Sequence, residues 1–258
     1  MSFRDELERR VAERTAELEQ ANRALLEADR RKDEFLAILG HELRNPLAPI
    51  RMALHVLDHD AAPAAAIARA REILDQQVGQ MTRLVNDLMD VSRVALGKIS
   101  LERQAVDLEE LVRNAVDAAL PAMAERGHHF ELVLPEKPIQ LHVDSTRIRQ
   151  VLLNLLVNAA KYTEPGGSVR LVVGDGEGGD IIFRIEDSGR GLTEEERSRI
   201  FAPFEQSSHT LDLAQGGIGI GLTLASRLVE MHRGSIRAES AGRGLGSVFE
   251  VRLPRGTF

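Results

Sequence analysis

Apolar positions along residues 4–35 recur at alternating steps of four and three. Leu7, Val11, Leu18, Ala21, Leu25 and Ala28 mark the stripe, which Arg14 interrupts. The segment is highly charged and holds no glycine or proline. This spacing predicts a short, imperfect parallel coiled coil, with a solvated single helix as the plainer alternative. The helical period continues through Leu36, Leu39, Leu43, Leu47, Ile50, Leu54 and Leu57, which gather on one face at about 100° per residue. Pro46 removes a backbone hydrogen bond from this helix and is expected to kink it. A turn is expected at residues 58–63. Beyond it, Ile67, Leu74, Val78, Met81, Val85 and Leu88 repeat near heptad spacing. Two long amphipathic helices joined by a short loop form an antiparallel hairpin. One hairpin leaves part of its apolar stripe wet, so pairing into a four-helix bundle, and hence a homodimer, is expected.

Past Gly97 the pattern changes to mixed helix and strand. Strands are predicted at 100–106, 130–134, 139–143, 169–173, 181–186, 235–239 and 248–253. Helices are predicted at 107–125, from an N-cap at Asp144-Ser145-Thr146 to about Tyr162, and from about Ile220 to His232. A glycine-rich turn is expected at 174–179. The fold class that results is α+β and multidomain. A coiled-coil helix (1–30) leads into a dimerising helical hairpin (31–97), then an α/β sandwich (98–258) with helices on one face of a mixed sheet.

Composition narrows the function. The net charge is −7 with both signs interspersed, and aromatics make up 3% of residues. Neither suits a nucleic-acid surface, which needs basic patches and stacking rings. There are no cysteines, which removes disulfides and thiolate metal sites. No apolar run is long enough to span a bilayer, and the charged N-terminus lacks a signal-peptide core. A cytoplasmic protein is expected.

Candidate chemistry falls in four places. His41 points away from the apolar stripe of its helix, with Glu42 beside it and Asn45 one turn below, so an exposed imidazole sits next to a carboxylate. On the helix ending at Tyr162, Asn154, Asn158 and Lys161 share a stripe. Two amide oxygens and an ammonium suit a metal–polyphosphate, amide oxygen being a hard ligand for Mg²⁺. Tyr162, the only tyrosine, stands at the stripe's edge where it can lie against a purine; an ordinary polar helix flank would look the same. Asp187, at the end of a strand and followed by Gly189 and Gly191, can accept a hydrogen bond from an exocyclic amine, although Asp-Gly turns are common. Finally Gly217, Gly219, Gly221 and Leu222 open a helix, presenting backbone N–H groups to an anion. The polar stretch 207–215 before them reads as a lid. P-loop, Rossmann and eukaryotic-type kinase signatures are absent.

Taken in order, these segments resemble a sensor histidine kinase of two-component signalling, with an ATP domain of the type shared with Hsp90, gyrase and MutL. Residues 35–47 resemble the H box, 154–163 the N box, 187–191 the G1 box, 201–204 the F box and 217–222 the G2 box. The resemblance covers the chain from about residue 30 onward. It implies that His41 attacks the γ-phosphate of ATP while Glu42 takes the proton from the other ring nitrogen. Asn158 would ligate Mg²⁺ with Asn154 in support, Lys161 would hold phosphate and Asp187 would read adenine. Gly189 and Gly191 would admit the ligand closely, and Gly217, Gly219 and Gly221 would shape the lid hinge. The phosphoryl group would pass to an aspartate in a response-regulator receiver domain. Asn45 matches the position that orients water for regulator dephosphorylation, and Ile38 would touch the ATP domain or the regulator. The signal would come from a sensor domain or protein outside this chain. Two departures stand out. The lid holds His209 where many relatives have an arginine, which favours a second reading as a catalytically weak ATP-binding dimeric scaffold or phosphatase. His232-Arg233-Gly234 also stands where relatives often have His-Gly-Gly.

Overall fold

The computed structural model describes residues 3–59, 63–95, 100–202 and 220–256. It divides into two compact units, with the boundary between Met81 and Thr82. The first is helical. Helix α1 (Phe3–Leu57) runs unbroken for 55 residues, through both Pro46 and Pro49. Helix α2 (Ala64–Ala95) begins just after Pro63 and extends into the second unit. Ala53 and Ala70 are buried, but much of the predicted stripe is not. Leu18 is 70% exposed, Leu25 68% and Leu36 53%. No described helix is long and apolar enough to cross a membrane.

The second unit is built on a five-stranded sheet. Its order is β2 (His129–Val133), β4 (Ser168–Asp175), β5 (Asp180–Asp187), β7 (Ser247–Pro254) and β6 (Ser235–Glu239). β2 and β4 run parallel and all other pairs are antiparallel. Period-2 alternation sends Val169, Leu171, Val173, Ile181, Phe183, Ile185, Val251 and Leu253 into the core. The alternate positions carry charge and pair across strands, as in Arg170–Glu131 and Arg184–Glu250, or along one strand, as in Arg184–Glu186 and Arg252–Glu250. The core is closed by α3 (Leu108–Glu125), α4 (Ser145–Tyr162) and α6 (Gly221–Met231), with α4 packed against both other helices and against the sheet. Ile148, Leu152, Leu155 and Leu156 of α4 are fully buried. Each such side chain contributes about 1.5–3 kcal/mol.

The element order agrees with the pattern reading, and the differences have local causes. The strand expected over 100–106 shortens to β1 (Gln104–Asp107) because the preceding backbone is engaged elsewhere. The Glu102 N–H donates to Asp144 Oδ2, and the Arg103 guanidinium next to it donates through Nη2 to the carbonyl of Met231. β1 pairs with β3 (Gln140–Val143) as a separate two-stranded sheet. Asp107 and Asp144 are N-caps, each accepting from a backbone N–H three residues on. The turn after β4 narrows to 176–179, because Gly174 and Asp175 pair with Ile182 and Ile181. A short helix not anticipated, α5 (Glu194–Arg199), starts from a capping box of Thr193 and Glu196.

Candidate active site

In the helical unit, His41 lies on α1 and is exposed, as the stripe reading requires, and Asn45 is exposed one turn on. The side chains of Glu42 and Ile38 lie outside the described residues.

In the sheet unit, α4 brings Asn154, Asn158, Lys161 and Tyr162 to one half-buried flank. Asn154 Nδ2 donates to the carbonyl of Gly221 at 3.2 Å, tying α4 to the start of α6. Asn154 thus carries a structural bond, and its amide oxygen has no hydrogen-bond partner among the described residues. The Asn158 amide has no hydrogen-bond partner among the described residues, and Lys161 makes no ion pair there. The Lys161 ammonium lies 5.0 Å from the centre of the Tyr162 ring. The Arg190 guanidinium lies 4.5 Å from the same ring. Both cations lie within cation–π range of the ring.

Asp187 ends β5 beside this flank. Its Oδ1 accepts from the Gly189 N–H at 2.9 Å, and Ser247, its register partner on β7, donates through backbone and hydroxyl. Burial raises the Asp187 pKa above the ordinary carboxylate value, and those hydrogen bonds oppose it. A partly desolvated, pre-oriented carboxylate suits an amine-bearing ligand. Gly189 and Gly191 also approach the chain's own backbone closely. A Cβ on Gly189 would meet the Tyr162 carbonyl at 2.3 Å, and one on Gly191 would meet that of Gly242 at 2.0 Å. Arg190 N–H donates to the Tyr162 carbonyl at 3.1 Å. The loop after β5 is therefore stitched to the end of α4.

Gly221 and Leu222 open α6, whereas Gly217, Gly219, the lid with His209, and Pro203-Phe204 lie outside the described residues. Phe201 packs edge-to-face on Phe249, centroids 6.4 Å apart. Among the described residues no three His, Asp or Glu side chains gather to hold a metal by themselves. The Asn158 amide, a hard oxygen beside an unpaired ammonium, instead fits Mg²⁺ that shares its coordination with phosphates and water. Ser247 and Arg190 escaped the sequence reading. Ser247 becomes visible only when the β5–β7 register is known, and Arg190 only when the loop is seen to fold onto Tyr162.

Residues 31–97 match the His Kinase A (phospho-acceptor) domain family. Residues 143–257 match the histidine kinase-, DNA gyrase B-, and HSP90-like ATPase family. The chain belongs to the histidine kinases, and its ATP-binding domain is of that ATPase type. The circadian input-output histidine kinase CikA of Synechococcus elongatus is 37% identical over 97% of this chain and 34% of its own length. The chain therefore spans about a third of that relative. Among solved structures, ShkA in complex with AMPPNP is 30% identical, with a TM-score of 0.63, over 86% of this chain and 46% of that one. The Acinetobacter baumannii histidine kinase AdeS is 25% identical, with a TM-score of 0.62, over 84% and 98% of the respective chains.

Proposed function

We propose that this protein uses ATP to phosphorylate His41 and passes the phosphoryl group to an aspartate of a response-regulator receiver domain. The observation that carries this reading is an exposed imidazole within the phosphoacceptor-domain match, in the same chain as a nucleotide-type site on α4 and β5. In the proposed step one ring nitrogen of His41 forms a bond to the γ-phosphorus while the bond to the ADP oxygen breaks. The proton on the other ring nitrogen goes to Glu42. Asp187, held by Gly189 and Ser247, would receive the adenine amine. Tyr162 would cover the base, and Lys161 would offset phosphate charge. Asn158 would hold Mg²⁺ with Asn154 supporting, and the ion, when bound, supplies charge neutralisation at the phosphates. Catalysis is then mainly positioning and electrostatics. In a second proposed activity, Asn45 orients water to dephosphorylate the regulator. The working form is a homodimer paired along the exposed stripes of α1 and α2, located in the cytoplasm where ATP is supplied.

Incubation with Mg²⁺ and γ-labelled ATP tests the reading. Label stable to alkali, labile to acid and lost in His41→Gln is the expected result. ATP binding without label would replace it with the scaffold or phosphatase reading, which the arginine-free lid sequence favours.

A further inference from the structure

The last turn of α4 is gripped from outside every motif named above. Arg126, the C-cap of α3, reaches across with Nη1 to three carbonyls: Lys161 at 2.6 Å, Thr163 at 3.0 Å and Ala160 at 3.2 Å. His128 Nε2 lies 2.8 Å from the Ala160 carbonyl, a bond that places its proton on Nε2. Its other nitrogen, Nδ1, is buried and has no partner among the described residues. The grip is mutual, since the Arg126 carbonyl accepts from the Gly166 N–H at 3.0 Å. Residues 160–163 hold carbonyls that a helix end leaves without intrahelical partners. A guanidinium placed there satisfies several of them and opposes the negative end of the helix dipole.

The location is what gives this clamp a use. Lys161 and Tyr162 lie on the gripped turn, and from the other side Arg190 N–H holds the Tyr162 carbonyl. Thr163 turns out of the helix into extended backbone at φ −92° and ψ 136°. Without a clamp, this turn would be free to fray or tighten, and both side chains would move with it. We propose that Arg126 is a positioning residue for the nucleotide site, fixing the last turn of α4 so that Lys161 and Tyr162 face the nucleotide in register. The proposal rests on the reading that this flank binds ATP.

The test compares Arg126→Met and Arg126→Lys with Asp107→Ala, which removes the N-cap of α3 far from the clamp. Nucleotide affinity is measured calorimetrically with AMPPNP, KM and kcat by autophosphorylation, and the local environment by tyrosine emission. Tyr162 is the only tyrosine and there is no tryptophan, so emission reports this turn alone. Arg126→Met is expected to raise the AMPPNP dissociation constant and the ATP KM about tenfold, with a smaller change in kcat. It should also shift Tyr162 emission in nucleotide-free protein. Arg126→Lys should recover part of each effect, and it remains the readable variant if the methionine protein does not fold. Asp107→Ala should lower the melting temperature while leaving affinity and emission unchanged. Unchanged affinity and emission in a folded Arg126 variant would overturn the proposal, as would an equal loss in Asp107→Ala. Failure of the unmodified protein to bind AMPPNP would instead overturn the ATP reading itself.

Discussion

Arg233 has a backbone conformation that its side chain does not favour. Its φ is 61°, the one positive value among the described non-glycine residues. It follows the C-cap of α6, where a left-handed residue ends a helix cheaply only if it is glycine. The sequence comparison that set Arg233 against a glycine therefore has a physical reading: the arginine is a tolerated cost, not a neutral change. Its side chain is exposed. Arg233→Gly is expected to stabilise the ATP-binding domain by about 1 kcal/mol, raising its melting temperature by about 2–4 °C with ATP affinity unchanged. Calorimetry of the two proteins checks this directly. Gly234, next in sequence, has no such latitude. A Cβ there would sit 2.3 Å from the Arg252 carbonyl.

At the scale of elements, α4 is held at both ends, and the N-terminal hold is sensitive to pH. His232, buried at the end of α6, has Nδ1 2.7 Å from the Leu228 carbonyl, and its Nε2 accepts from the Asp144 N–H at 3.1 Å. The bond from the Asp144 N–H requires an unprotonated Nε2 and so the neutral ring, whereas the bond from Nδ1–H to Leu228 survives protonation. Burial holds its pKa below the ordinary value of 6.5, and nearby Arg103 adds to this; the Leu228 bond and Asp144 oppose it. In acid the unfolded chain therefore takes up a proton that the folded protein resists. Stability is complete above the ordinary imidazole range and falls as pH drops through it towards the folded value. The melting temperature should decline on acidification below about 6.5. His232→Gln should flatten that decline while costing about 1–3 kcal/mol at neutral pH. A melting series against pH for both proteins decides it. The elements of this domain were legible in the sequence because their periods are clean, as in Leu152, Leu155 and Leu156 on α4 or Ile181, Phe183 and Ile185 on β5. The bonds that hold them were not. His232 reaches Asp144 across 88 residues, and Arg126 reaches Lys161 across 35. No local pattern encodes partners that only the packing brings together. The candidate site divides the same way. The residues on α4 and at the end of β5 declared themselves by spacing, whereas Ser247 depended on strand register.

For the molecule as a whole, the exposed stripe of the helical unit sets the expected assembly. Leu25, Leu36, Leu47 and Leu54 recur along one face of α1 and stay about half exposed or more in one chain, and a row of exposed apolar side chains is the kind of surface that marks association. Leu54→Glu would place a charge in the seam of the proposed four-helix bundle. It is expected to weaken dimerisation about a hundredfold or more, giving monomers at micromolar concentration by sedimentation. A variant that remains dimeric would remove that seam from the proposed assembly.

The unbroken course of α1 has a mechanical consequence. A helix of 55 residues is a rod about 80 Å long, and the stretch before His41 accounts for most of it. Such a rod transmits twist and axial displacement over its length, because each turn is locked to the next. Pro46 and Pro49 interrupt that locking, since they leave the carbonyls of Glu42 and Asn45 without their usual donors. Resistance to bending is thus lowest within two turns of the His41 imidazole. A torque applied at the far end would arrive nearly undiminished and be released as flexure beside His41.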